Sequence, residues 1–183
     1  MEVRAGIGGQ AFDTALGRCA VAWSGHGLRR VLLPDREGAV RRRLERMGAG
    51  PAPPPPDVAA AIAAIVAHVA GAPAEFGGVL LDEAGVEPFE RRVYAALRRV
   101  PRGVTTTYGA LAEAVGAPGA AREVGVAMGR NPWPIVVPCH RVLAAEGRLG
   151  GFSAPGGAET KRRLLALEGV HPGGTPDLPG LFG

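Results

Sequence analysis

Cysteine is scarce: 183 residues carry only Cys19 and Cys139. Two cysteines cannot build a disulfide framework, and such sparing use suits a reducing cytoplasm. Metal-ligand spacing is missing too. His26, His68, His140 and His171 are scattered, with no CxxC or HxxxH pattern, so neither a metal nor another cofactor is expected. No charged start followed by an apolar run marks a secretory leader. The longest apolar run, Val58–Ala70, is interrupted by His68 and is too short to span a bilayer, so no membrane partner is expected. Charge of one sign is lacking in the first half, which holds 9 basic and 9 acidic residues through Gly85. From Val86 onward there are 12 basic and 8 acidic residues, so the net +4 belongs to the second half. That balance suits a polyanion partner, although solvated arginine faces would produce it equally well.

The most informative stretch is Asn131-Pro-Trp-Pro-Ile-Val-Val-Pro-Cys-His-Arg-Val142. Prolines 132, 134 and 138 forbid a helix and fix φ at three points. Ile135, Val136 and Val137 read as a very short buried strand. The chain then delivers Cys139 at the end of a stiff apolar arm, the kind of placement a nucleophile needs. A buried cysteine can also be inert core. The functional alternative is a thiolate activated by a neighbouring base, here His140.

The length suits one or two small domains. The first half, residues 1–85, reads as an α/β scaffold. Arg18–Ser24 and Leu28–Leu33 are strand candidates joined by Gly25-His26-Gly27, a hairpin signal. Asp35–Met47 reads as a helix with Val40, Leu44 and Met47 on one face. Its Arg41-Arg42-Arg43 run fits a solvated face or a nucleic-acid contact. Pro51–Pro56 is a stiff loop, and Asp57 is placed to cap a helix carrying Val58, Ile62, Ile65, Val66 and Val69. Cys19 and His68 read as structural.

The second half, 86–171, reads as mostly helical. Phe89, Val93, Ala96, Leu97 and Val100 form a stripe stopped by Pro101 and Gly103. Thr107 is a plausible N-cap for a helix through Val115, and Gly116–Gly119 ends it. A helix from about Ala120 to Met128 follows, with Val124, Ala127 and Met128 on one side. The pair is either a helix-turn-helix or an ordinary helical hairpin. Its second helix is built of small residues that cannot read base edges strongly but allow close approach to a groove wall. A further helix runs from Lys161 to Glu168. Residues 172–183, with His171 before them, form a Gly/Pro-rich tail expected to be irregular.

Pro138-Cys139-His140-Arg141-Val142, with Asn131-Pro132 before it and Gly150-Gly151-Phe152-Ser153 after it, closely resembles the O6-alkylguanine-DNA alkyltransferase family. This is also called the methylated-DNA–protein-cysteine methyltransferase family. The match extends upstream through Phe89–Met128 and downstream through Leu164–Gly169. The resemblance implies a ribonuclease-H-like N-terminal domain, then a helical domain with a helix-turn-helix and the active-site cysteine. It implies direct-reversal repair: one irreversible transfer of an alkyl group from O6-alkylguanine in double-stranded DNA to Cys139, by a cytoplasmic protein acting as a monomer. O4-alkylthymine is a second candidate substrate. Lesion binding without repair, or helix-turn-helix regulation, are the alternatives.

The resemblance also implies roles. Cys139 is the acceptor, His140 its base through a water, and Glu168 the group that orients the histidine. Asn131 and Arg141 hold the loop. Tyr108 faces the base and donates a hydrogen; Ser153 contacts O6, Phe152 forms a wall, the Val142 backbone reads the exocyclic amine, and Met128 packs on the flipped ring. Arg122 fills the gap left by the extruded nucleotide, though an exposed arginine on phosphate or in a helix ion pair is the plainer reading. Thr107, Ala121, Gly125 and Arg130 complete the expected DNA-facing set.

Overall fold

The computed structural model describes residues 6–172. The predicted tail therefore lies almost wholly outside the described residues. Three strands, β1 (Gly8–Thr14), β2 (Gly17–Ser24) and β3 (Gly27–Leu32), form an antiparallel meander. A short β4 (Gly50–Pro51) adds in parallel to β1, giving the order β3-β2-β1-β4. The expected hairpin is present, with Gly27 at φ 124°. β1 was not anticipated, because Gly-Gly-Gln-Ala-Phe-Asp-Thr has few strand-favouring residues. Pairing of all seven of its residues with β2, not local preference, fixes it.

β2 is buried on both faces. Cys19, Val21 and Trp23 enter the main core, while Ala20 and Ala22 meet α1 (Ala39–Arg46) through Val40 and Leu44. This helix starts later than the sequence suggests, since Gly38 turns the chain at φ 70°. Arg41 pairs with Glu45 and Arg43 with Asp35. α2 (Pro56–Val69) begins at a proline preformed for the first helical position. Asp57 lies inside the first turn and is not the cap. Val58, Ile65 and Val69 are buried, but Val66 is 36% exposed and does not belong to the stripe.

α3 (Pro88–Leu97) buries Val93, Tyr94 and Leu97. A two-stranded parallel pair, β5 (Thr106–Thr107) and β6 (Val142–Leu143), follows the Pro101–Gly103 turn. α4 (Tyr108–Ala114) is capped by Thr107, whose Oγ1 accepts from Ala110 N at 3.1 Å. α5 (Ala121–Arg130) buries Val124, Ala127 and Met128 as expected, and the Tyr94 hydroxyl donates to Ala127 O at 2.7 Å. α6 (Gly157–Leu167) closes the described chain.

One apolar core joins residues from both halves, from Cys19 and Trp23 to Val137 and Leu164. The halves are also stitched by polar contacts. Trp133 Nε1 donates to Leu28 O (2.7 Å), and Val31 N donates to Pro132 O (2.9 Å). Arg98 and Arg102 act as struts. Arg98 donates to the carbonyls of Phe76, Gly77 and Val79. Arg102 donates to those of Gly71, Ala72 and Leu167. No helix is long and apolar enough to cross a membrane among the described residues.

Candidate active site

Ile135–Val137 is not a strand. Val137 N donates back to Trp133 O at 2.7 Å, and Ile135 sits at φ 76°. A β-branched residue rarely adopts positive φ, and doing so costs on the order of 1–3 kcal/mol. Asn131 clamps this turn: its Nδ2 donates to Val137 O and its Oδ1 accepts from Trp133 N, both at 2.9 Å. Pro138 then makes an inverse γ-turn (φ −80°, ψ 65°), with Cys139 N donating to Val137 O at 2.8 Å. Cys139-His140-Arg141 follow as one 3-10 turn, all three buried.

Behind the cysteine stands a sealed polar cluster. Glu168 Oε1 accepts from His140 Nε2 at 2.8 Å. A carboxylate only accepts, so Nε2 carries the hydrogen. Nδ1 of His140 is left as the basic nitrogen, buried without a hydrogen-bond partner among the described residues. Arg141 grips both carboxylate oxygens at 2.9 Å, and its Nη1 donates to Val100 O at 2.6 Å. Gly103 N adds a contact to Glu168 Oε2 at 3.2 Å. Burial raises the Glu168 pKa, but the donors from His140, His68 and Arg141 outweigh it and hold it well below the usual carboxylate range. His140 is pushed down, by burial first, against the pull of Glu168. Burial pushes the Cys139 thiol up, and Asn131, the Lys161 charge and the backbone N–H groups of Cys139 and His140 oppose it.

His68 corrects the sequence reading. It has a partner, with Nε2 lying 3.2 Å from Glu168 Oε1. His68, His140 and Glu168 thus offer three ligand atoms within 4.8 Å of one another. The same carboxylate already holds the Arg141 guanidinium, so a metal ion there would face a fixed cation.

Lys161 was also missed as a site residue. It is fully buried, and its Nζ donates to Val142 O (2.6 Å) and Gly151 O (3.2 Å). It lies 6.0 Å from the Tyr108 ring centre. Burial lowers its pKa to about 8, with Cys139 opposing. A lone lysine in an amphipathic helix carries no signal of this role, because its acceptors come from distant segments.

A cavity of about 320 Å³ opens on Cys139 between Tyr108, Gly125, Met128, Gly151, Phe152 and Ser153. Four of the expected substrate-facing side chains therefore share one space. Val142 lies behind it, fully buried, with one lone pair of its carbonyl taken by Lys161. Thr107, Tyr108, Ala121, Arg122 and Gly125 border a shallow apolar depression next door. Arg130 does not join them; it pairs with Glu90 at 3.2 Å. On the other side of Cys139 a cleft is bounded by Arg30, Arg43 and Arg46.

A cysteine backed by an imidazole and a carboxylate, opening on a cavity of small-ligand size, is the arrangement of a thiol group-transfer protein. Comparison with known proteins narrows this class. Residues 88–170 match the family model described as 6-O-methylguanine DNA methyltransferase, DNA binding domain. The methylated-DNA–protein-cysteine methyltransferase of Mycolicibacterium paratuberculosis is 51% identical over 62% of this chain and 66% of its own length. The same-named protein of Mycobacterium bovis is 47% identical over 63% and 68%. The matched stretch thus spans about two thirds of these curated relatives. The solved structure of Mycobacterium tuberculosis OGT in complex with DNA superposes with a TM-score of 0.72 at 35% identity, covering 88% of this chain and 92% of that one. The chain belongs to the methylated-DNA–protein-cysteine methyltransferase family.

Proposed function

We propose that this protein repairs DNA by direct reversal, moving the alkyl group of O6-alkylguanine in duplex DNA onto Cys139 in a single irreversible turnover. The observation that carries the reading is the sealed Glu168–His140 contact at 2.8 Å behind a cysteine that borders an open cavity. Membership of the family and the DNA-bound state of a relative support it.

The step is a displacement at carbon. The sulfur lone pair forms the S–C bond, the C–O6 bond breaks, and its electron pair stays on the guanine. The thiol proton leaves through a water to Nδ1 of His140, and Glu168 holds the imidazolium that forms. Tyr108 donates a hydrogen toward the leaving guanine, and Ser153 contacts O6. Phe152 and Met128 flank the extruded base, and a backbone contact at Val142 serves its exocyclic amine. A base stacked in a duplex cannot be reached in line, so it is flipped out. Arg122 fills the vacated space while Thr107, Ala121 and Gly125 meet the groove.

In this reading α4 and α5 act as a helix-turn-helix, and residues 86–171 form the transfer domain. Residues 1–85 form a ribonuclease-H-like scaffold. The protein works as a monomer in a reducing compartment, where the thiol stays free. O4-alkylthymine is a second substrate of the same chemistry. The test is to titrate the protein against excess duplex containing O6-methylguanine and count the lesions removed. Removal that stops at one lesion per chain supports the reading. Continued turnover, or binding without removal, would overturn it.

A further inference from the structure

We propose that His68 is a positioning residue for alkyl transfer, a second imidazole that faces Glu168 from α2 and limits how strongly that carboxylate holds a proton on His140. The proposal rests on the alkyl-transfer reading and adds a residue from the N-terminal half to its relay.

His68 lies in the last turn of α2, on the face that buries Val58, Ala61, Ile65 and Val69. It is fully buried there, an imidazole on an otherwise apolar face. Its orientation follows from its neighbours. Nδ1 lies 3.5 Å from Nη1 of Arg102. A guanidinium only donates, so Nδ1 is the acceptor and Nε2 carries the hydrogen. That hydrogen belongs to the nitrogen 3.2 Å from Glu168 Oε1. The approach is too far off axis for a hydrogen bond, so Nε2 is buried without a hydrogen-bond partner among the described residues and its N–H acts on the carboxylate through its dipole alone. Phe76 holds the ring edge-on at 5.7 Å, and the His140 ring stands 6.1 Å away.

The consequence lies on one atom. Glu168 Oε1 faces His140 Nε2 at 2.8 Å, Arg141 Nη2 at 2.9 Å and His68 Nε2 at 3.2 Å. Each donor that stabilises the carboxylate charge leaves less of it for an imidazolium on His140. The charged and titratable groups around the two imidazoles are Arg102 from the loop after α3, Cys139 and Arg141 from the 3-10 turn, and Glu168 at the end of α6. Arg102 also ties the end of α2 to the end of α6 through Gly71 O, Ala72 O and Leu167 O. The distance between His68 and the carboxylate is therefore set by a rigid strut.

Removing the His68 donor makes Glu168 a stronger acceptor and raises the pKa of His140. The base must be deprotonated to take the thiol proton, so the acid limb of the transfer rate moves to higher pH. A purely structural role would lower the reactive fraction and leave that limb in place.

The experiment compares the full chain with His68→Phe and His68→Gln. The imidazole titration of His140 is followed by NMR, and single-turnover methyl transfer from O6-methylguanine duplex is followed across pH. His68→Phe is expected to raise the His140 titration by roughly one pH unit and move the acid limb with it. Glutamine keeps an N–H donor near the lost nitrogen and is expected to restore the wild-type profile. If the Phe variant does not fold, His68→Leu removes the donor with a smaller, apolar side chain. An unchanged His140 titration in a folded donor-less variant would overturn the proposal. Absence of methyl transfer by the unaltered chain would count against the functional reading, while the His140 titration still decides whether His68 is coupled.

Discussion

Glu168 Oε1 lies 2.8 Å from Nε2 of His140, and neither side chain reaches solvent. The carboxylate comes from the end of α6 and the imidazole from the turn after Pro138, so this one contact fixes the last helix against the reactive segment. Arg141 completes it from the residue next to the histidine. Position, charge and tautomer of the base are thus set together.

Glu168→Gln keeps the shape and removes the charge. Single-turnover transfer should fall by about 10²–10⁴-fold, the range for loss of assisted proton transfer. The stability profile should change as well. Because the folded pKa of Glu168 is held well below its unfolded value of about 4.3, its contribution is complete above that value and is lost as pH falls below it. The Gln variant should be less stable near neutrality and should lose that acid-side slope. Urea unfolding from about pH 6 down to pH 3 reads both effects.

Lys161→Met keeps the aliphatic stem but removes the charge near Cys139. Lys161 draws the Cys139 pKa down, so the variant thiol should ionise at higher pH. The pH dependence of Cys139 alkylation by iodoacetamide measures this. The lysine has its own stability signature. Its folded pKa of about 8 lies below the unfolded value near 10.4, so the unfolded chain binds more protons between them and wild-type stability rises with pH across that window. The Met variant should lose that rise in urea titrations.

Gly125 lies on α5 at the edge of both the reactive cavity and the neighbouring depression, and a Cβ built there meets nothing within 4 Å. Gly125→Ala should stabilise the helix by about 0.5–1 kcal/mol yet slow transfer from duplex DNA by blocking close approach. Thermal melts and single-turnover rates on one preparation test the opposite signs.

Arg122 is exposed beside the same depression. Arg122→Ala should leave the melting temperature unchanged and slow transfer from duplex by roughly 10–100-fold, about 1.4–2.7 kcal/mol of barrier. Transfer from a free O6-alkylguanine base, which needs no flipping, should be unaffected. Equal losses on both substrates would remove Arg122 from the DNA step.

Much of this arrangement was readable from residues close in the chain. The non-helical, proline-fixed arm that leads to Cys139, the Thr107 cap and the buried side of α5 follow from local spacing, whereas the strand expected at Ile135–Val137 is a turn. What could not be read depends on distant partners. β1 is a strand because β2 pairs with it, not because its residues favour one. Ile135 takes positive φ because Asn131 clamps the turn from both ends. His68 meets Glu168 across 99 intervening positions, and Lys161 finds its acceptors on β6 and at Gly151. Buried polar residues are those whose meaning a single sequence hides most, since their partners are set by packing.

The most direct test of the account is the intact mass of the protein after incubation with duplex DNA carrying O6-methylguanine, beside a Cys139→Ala variant. The account predicts that every reactive chain exchanges one hydrogen for one methyl group, that peptide mapping locates it on Cys139, and that the variant gains nothing. An unchanged mass in the wild-type chain, or a methyl group on Cys19 or elsewhere, would contradict it.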